Sequence, residues 1–293
     1  MTERRDLALT ALAPAIWGSS YIVTTTLLPG LSPWLVALLR ALPAGLVLLL
    51  LVRQLPPLHL VPKILVLGAL NFSVFWGLMF LAAYRLPGGV AATLGAVQPL
   101  FVLVLSGVLL GSRIHGRGIA AALLGMVGVG LLVLGPEAQM DLWGVVGGLG
   151  GALSMAAGVV LTRKWQPGVP ALTFSAWQLT AGGLLLVPVA MIAVPEWPLL
   201  SGQNILGLAY LSLIGGALTY ILWFRGIARI APAQISLLGV FSPLTAVLLG
   251  ALFAGESFTL FQSLGALLAL FSVWLGQQAP RSASRVAKVT PAA

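Results

Sequence analysis

Ten uninterrupted apolar runs, each about as long as a bilayer is thick, constrain this chain more than any motif in it. They fall near residues 7–28, 33–52, 63–84, 88–110, 116–134, 142–162, 172–194, 204–225, 232–254 and 259–276. About 20 helical residues cross the ~30 Å hydrocarbon core of a membrane. Lipid offers no water to a backbone amide, so a run of this kind must satisfy its hydrogen bonds as a helix. Only 7% of the residues are charged, against about 25% in soluble domains. The sequence therefore predicts an all-α integral membrane protein of ten transmembrane helices. The first run leads directly into further spans and lacks a small-residue cleavage site, so it reads as a retained helix rather than a signal peptide.

The formal charge of +9 does not point to nucleic acid, because the basic residues stand singly or in pairs between apolar runs and form no patch. They read as topology signals. With the N-terminus in the cytoplasm, the inner loops and ends hold Arg4, Arg5, Arg53, Lys63, Arg113, Arg117, Arg163, Lys164, Arg225, Arg229, Arg281, Arg285 and Lys288, and the outer side only Arg85. The expectation is a multi-pass protein of the cell's inner (plasma) membrane with both termini cytoplasmic. The chain has no cysteine, which removes disulfides, thiolate metal sites and cysteine nucleophiles.

The runs repeat. Gly95 and Pro99 match Gly239 and Pro243 at an offset of 144, as Arg85 matches Arg229 and Gly111 matches Gly255; Arg40 and Gly45 match Gln178 and Gly183 at an offset of 138. Five spans per unit is an odd number, so the second unit enters the membrane in the opposite sense. The predicted architecture is two inverted five-helix repeats around a central cavity, residues 1–136 and 137–280, with a polar, basic, disordered cytoplasmic tail at 281–293. Proline removes a backbone hydrogen bond and bends a helix, and broken helices at matching places in two halves point to a transporter's binding site. Gly95, Pro99, Gly239 and Pro243 are accordingly the hinge candidates.

These features together resemble the EamA branch of the drug/metabolite transporter superfamily: ten helices in two repeats, Trp17-Gly18-Ser19-Ser20 in the first, Arg40 in the second, the Pro99 and Pro243 helices, Tyr220-Ile221-Leu222-Trp223-Phe224-Arg225, and Gly255-Glu256. The resemblance covers residues 7–276. Within that family the chain most resembles YddG-type exporters of aromatic amino acids. The resemblance implies a basket of helices around a cavity, alternating access and a small-molecule substrate.

Candidate substrate-binding residues follow from helical faces. Trp17, Ser20, Tyr21 and Thr24 recur at i, i+3, i+4 and i+7 on one face, and Asn71, Phe75 and Trp76 lie together in the third run. Tyr220 and Trp223 share a stripe that the resemblance turns toward the cavity. Small polar residues also serve ordinary helix packing, and an amide in mid-membrane is either glue between helices or a ligand contact, so both roles stand for Asn71. Gln98 and Ser242, each one residue before a proline, read as helix repair or as substrate contacts. Arg40 lies about 10 Å deep at 1.5 Å per residue; with Gln178 at the matching place, both are read as structural polar residues, a carboxylate contact by Arg40 being the sharper alternative.

No acidic residue falls inside a predicted span, and His59 and His115 sit in loops. Proton relays within membranes use such groups, so the chain reads as a facilitator, with a proton-coupled exporter of another substrate class as the alternative. No metal motif, aspartate pair or serine elbow appears, which disfavours an intramembrane enzyme, and no metal or cofactor is expected. A channel is disfavoured because no ring of charge appears. The favoured function is export of small amphipathic metabolites, amino acids above all. The sequence leaves the oligomeric state open, a monomer being compatible with it.

Overall fold

A computed structural model describes residues 2–85, 94–133, 141–254 and 259–278. All regular structure among them is helical. In chain order the helices are α1 (Thr2–Leu27), α2 (Pro33–Val52), α3 (Val61–Gly68), α4 (Val74–Arg85), α5 (Gln98–Leu110), α6 (Gly116–Val133), α7 (Leu142–Lys164), α8 (Ala171–Ala193), α9 (Gly202–Ala209), α10 (Thr219–Arg229), α11 (Pro232–Leu237), α12 (Phe241–Ala254) and α13 (Leu260–Gln277). Among the described residues seven stretches are long and apolar enough to cross a membrane: Arg4–Thr24, Pro33–Val52, Leu58–Met79, Leu142–Lys164, Ala171–Ala193, Gly202–Arg229 and Leu260–Gln277. Gln98–Leu110 and Gly116–Leu131 are shorter apolar helices. Leu50, Val108, Ile192 and Phe253 are each more than 70% exposed, which in water would be a large aggregation liability and in lipid is the ordinary outer surface.

Two rods are continuous but not uniform. Between α3 and α4 the segment Ala69–Ser73 is π-helical, and between α9 and α10 so is Tyr210–Leu218. A shift of 144 carries the first segment into the second. Two other helices are broken rather than merely bent, which refines the sequence expectation of a proline kink. The chain turns at Ala96 and Val97 before α5 begins at Gln98, and a 3-10 turn, Leu238–Val240, separates α11 from α12. Pro99 and Pro243 thus stand in the first turns of new helices, where the missing N–H costs nothing. The breaks meet: Ala96, Val240 and Leu244 pack in one cluster with Val129 and Ala269.

Close helix contacts depend on glycine, and they are reciprocal. A Cβ on Gly45 would lie 2.5 Å from the Thr180 nitrogen, and one on Gly183 would lie 2.6 Å from the Leu42 Cα. Shifting by 138 exchanges these two contacts, since it carries 42 to 180 and 45 to 183. Likewise Gly128 abuts Ala269 and Gly125 abuts Ser272, and a shift of 144 exchanges that pair. The packing partners follow the same rule: α2 lies against α8, α6 against α13, α4 and α5 against α7, α10 and α12 against α1.

The ends of the rods are tied by polar contacts. On the face where α1 starts, Arg225 and Arg229 of α10 both reach Asp6, and Arg163 of α7 donates to the carbonyls of Ile227 and Ala228. On the opposite face Arg85 at the end of α4 stands 3.7 Å from Asp141. There the Asn204 amide donates to Leu27 O at 2.9 Å, joining α9 to α1. The predicted tail from Arg281, and Glu256, lie outside the described residues.

Candidate functional site

The aromatic residues singled out from the sequence converge on one place. Trp17 of α1 lies 5.1 Å, ring to ring, from Tyr220 and 5.2 Å from Trp223 of α10. Phe72, in the first π segment, stands edge-on to Tyr220 at 4.7 Å and to Trp76 at 5.8 Å. Trp76, Tyr220 and Trp223 are all at most 3% exposed, and Phe75 packs at the edge of the same cluster. The rings therefore fill the middle of the protein by contact with one another rather than standing around open space. The sequence flagged Trp17 and Trp76 by their helical neighbours, and Tyr220 and Trp223 by a stripe that the resemblance turned toward a cavity. It missed Phe72 and Phe224, which carry no polar atom to mark them in an apolar run.

A backbone carbonyl organises the polar side of this cluster. Gly215 O, in the second π segment, accepts from Trp17 Nε1 at 3.1 Å, from Thr219 Oγ1 at 2.7 Å and from Arg40 Nη2 at 3.0 Å. Trp17 Nε1 also donates to Thr219 Oγ1 at 2.8 Å. A π turn interrupts the regular i→i−4 ladder and recurs at functional sites, and here it offers a carbonyl to donors from three helices. The Arg40 guanidinium lies over Trp76, 5.3 Å from the ring centre, in cation–π contact. Ser20 Oγ is buried with no partner among the described residues, close to where a side chain at 215 would begin. Ser19 Oγ and the Tyr210 hydroxyl are 2.7 Å apart.

Asn71 belongs to a different group. Its amide nitrogen donates to Gln178 Oε1 at 3.0 Å and Thr162 Oγ1 at 3.2 Å, and Thr162 donates to Gln178 at 3.1 Å. All three are buried, and they join the first π segment to α7 and α8. The geometry is that of glue between helices. Gln178 thus bonds to residues of two other elements, while Arg40, at the equivalent place, has a different environment.

Gln98 and Ser242 lie at the helix breaks and make no ring contact or side-chain hydrogen bond recorded among the described residues. The Ser242 carbonyl faces Gly18 of α1, where an added Cβ would come within 2.3 Å of it. Gly95 and Gly239 have nothing within 4 Å of an added Cβ, so crowding does not explain either glycine. The Tyr21 side chain lies outside the described residues. Among the described residues no three His, Asp or Glu side chains gather where a metal ion could sit.

Apolar rods long enough to span lipid, closed around a buried aromatic and polar cluster, define an integral membrane protein. The EamA-like transporter family model matches residues 6–134 and again 142–276, and the chain belongs to that family of membrane transporters. It is 43% identical to Protein PecM of Dickeya dadantii (strain 3937) over 281 residues, 95% of this chain and 94% of that one. It is 31% identical to the uncharacterized inner membrane transporter YedA of Escherichia coli (strain K12), over 89% of this chain and 86% of that one. A probable amino-acid metabolite efflux pump of the same strain is 24% identical, over 93% of this chain and 95% of that one. A protein of known crystal structure shares the fold, with a TM-score of 0.81 at 18% identity, over 94% of this chain and 99% of that one.

Proposed function

We propose that the chain is a ten-span carrier of two inverted five-helix repeats, residues 1–136 and 137–280, that exports small amphipathic metabolites by alternating access. The observation that carries this reading is the junction itself. Trp17 and Arg40 from the first repeat and Tyr220, Trp223 and Gly215 from the second meet at one cluster, so a relative motion of the repeats remakes the site. The reciprocal glycine contacts between α2 and α8, and between α6 and α13, support a two-fold relation between the repeats.

Amino acids with flat or apolar side chains are the favoured substrates, as they were from the sequence. A cluster of aromatic rings suits such side chains, and the name of the efflux-pump relative points the same way. The lysine and arginine bias supports cytoplasmic termini in the inner membrane, YedA being named for that membrane. The lack of acidic side chains within the spans supports a facilitator. Ser20, Tyr21, Asn71, Phe75, Trp76, Gln98 and Ser242 complete the candidate binding set, with Asn71 the member most given over to packing.

Counterflow in proteoliposomes tests the reading. Liposomes preloaded with unlabelled L-phenylalanine or L-tryptophan accumulate the labelled amino acid, the flux saturates, and Trp17→Ala or Tyr220→Ala lowers it at least tenfold. Flux that stays linear with concentration makes the protein a channel, and no flux of any amino acid removes this substrate class.

A further inference from the structure

Among the described residues Arg40 is a cation without a counter-charge. All six acidic residues of the chain, Glu3, Asp6, Glu137, Asp141, Glu196 and Glu256, lie at or outside the ends of the rods in sequence. Of the five N–H donors that a guanidinium carries, one reaches an acceptor among the described residues, Gly215 O. Arg40 Nε is buried with no partner, although the side chain as a whole is only partly enclosed. A ring face and one carbonyl are a thin environment for a charge in the membrane interior, where such residues normally pair with one another or mark a substrate pathway.

The pseudo-equivalent place in the other half shows what is missing. The 138 and 144 shifts carry Arg40 to Gln178 and Asn71 to Gly215. In one half Gln178 is met by the side chain of Asn71; in the other Arg40 is met at the equivalent place by a glycine. A Cβ built on Gly215 would make ordinary contacts, 3.7 Å to Ser20 Oγ and 3.8 Å to Arg40 Nη2. Anything entering there touches an unpartnered hydroxyl and an uncompensated guanidinium, with the Trp76 ring beneath that guanidinium and the Trp17 indole on the same carbonyl.

We infer that Arg40 and Ser20, beside Gly215, bind the carboxylate of a flat-bodied solute whose apolar part lies against the aromatic cluster. This deepens the transporter reading and rests on it for its meaning in the cell. Binding and transport are separable by experiment. Three probes distinguish the charge requirement on purified protein in detergent: indole-3-acetate has a carboxylate and no amine, tryptamine an amine and no carboxylate, L-tryptophan both. The expected result is a rise in melting temperature, with a measurable Kd, for both carboxylates and not for tryptamine. Arg40→Gln weakens carboxylate binding at least tenfold. Gly215→Asp, which supplies an internal carboxylate where there is room for one, does the same while melting no lower than the unaltered protein. If Arg40→Gln does not fold, Gly215→Asp decides alone. Tryptamine binding as tightly as indole-3-acetate, unaltered carboxylate affinity in Gly215→Asp, or no binding of either carboxylate overturns the inference. Carboxylate binding without counterflow sinks the transporter reading and leaves the site; counterflow indifferent to Arg40→Gln sinks the site and leaves the transporter.

Discussion

At the scale of single residues, the polar groups divide into those that hold helices and those that stand ready for a ligand. Asn71, Thr162 and Gln178 are buried and bonded to one another, with Asn71 Oδ1 and Gln178 Nε2 left without a partner among the described residues, so Asn71→Ala should lower stability by about 1–3 kcal/mol, the cost of orphaning the Gln178 and Thr162 oxygens. Thermal unfolding in detergent reads this loss. Gly45 is a steric requirement: Gly45→Ala drives a methyl into the Thr180 backbone, and overpacking of this kind costs about 1–3 kcal/mol. The Trp17 face was legible in the sequence because its spacing is local. The Asn71–Gln178 bond joins residues 107 apart, and no periodicity reports on such a pair. Both residues could be flagged as amides in apolar runs, but only the fold says that they flag each other.

At the scale of elements, the seven spans found among the described residues could be read from the sequence, since an apolar run of about 20 residues has one solution in lipid. The π segments could not. An i→i+5 turn has no residue pattern that sets it apart from an α turn, and the Asn71 and Ser73 side chains in Ala69–Ser73 do not announce one. Yet these segments carry Asn71, Phe72 and Gly215, and their wider turns set the directions in which Trp76 and Tyr220 point. The breaks before Pro99 and Pro243 were announced by proline, and the structure makes them ends and starts of helices rather than bends within one. If they act as hinges, replacing both prolines with alanine lets helix propagate through the break. The expected outcome is counterflow slowed several-fold with the Kd for indole-3-acetate unchanged; an unaltered rate removes the hinge role.

At the scale of the whole molecule, the charged ties at the two faces occupy equivalent places and are unequal. Asp6 is 14% exposed and serves two arginines, whereas Arg85 and Asp141 are 47% and 40% exposed and make one long contact. Solvated pairs of the latter kind contribute little. Because the chain has no cysteine, a single Gly239→Cys reports access without background, in a position where a side chain meets nothing within 4 Å. In that background Asp6→Asn should raise maleimide labelling from the α1-start face about five-fold, the factor that corresponds to about 1 kcal/mol, and Asp141→Asn should change labelling from the other face far less. Considered as an equilibrium between two openings, the unequal ties weight the populations before any solute arrives. Under the proposed alternating access, a molecule so weighted rests closed on the Asp6 face, and a solute arriving from the opposite side binds without first drawing on the rarer population.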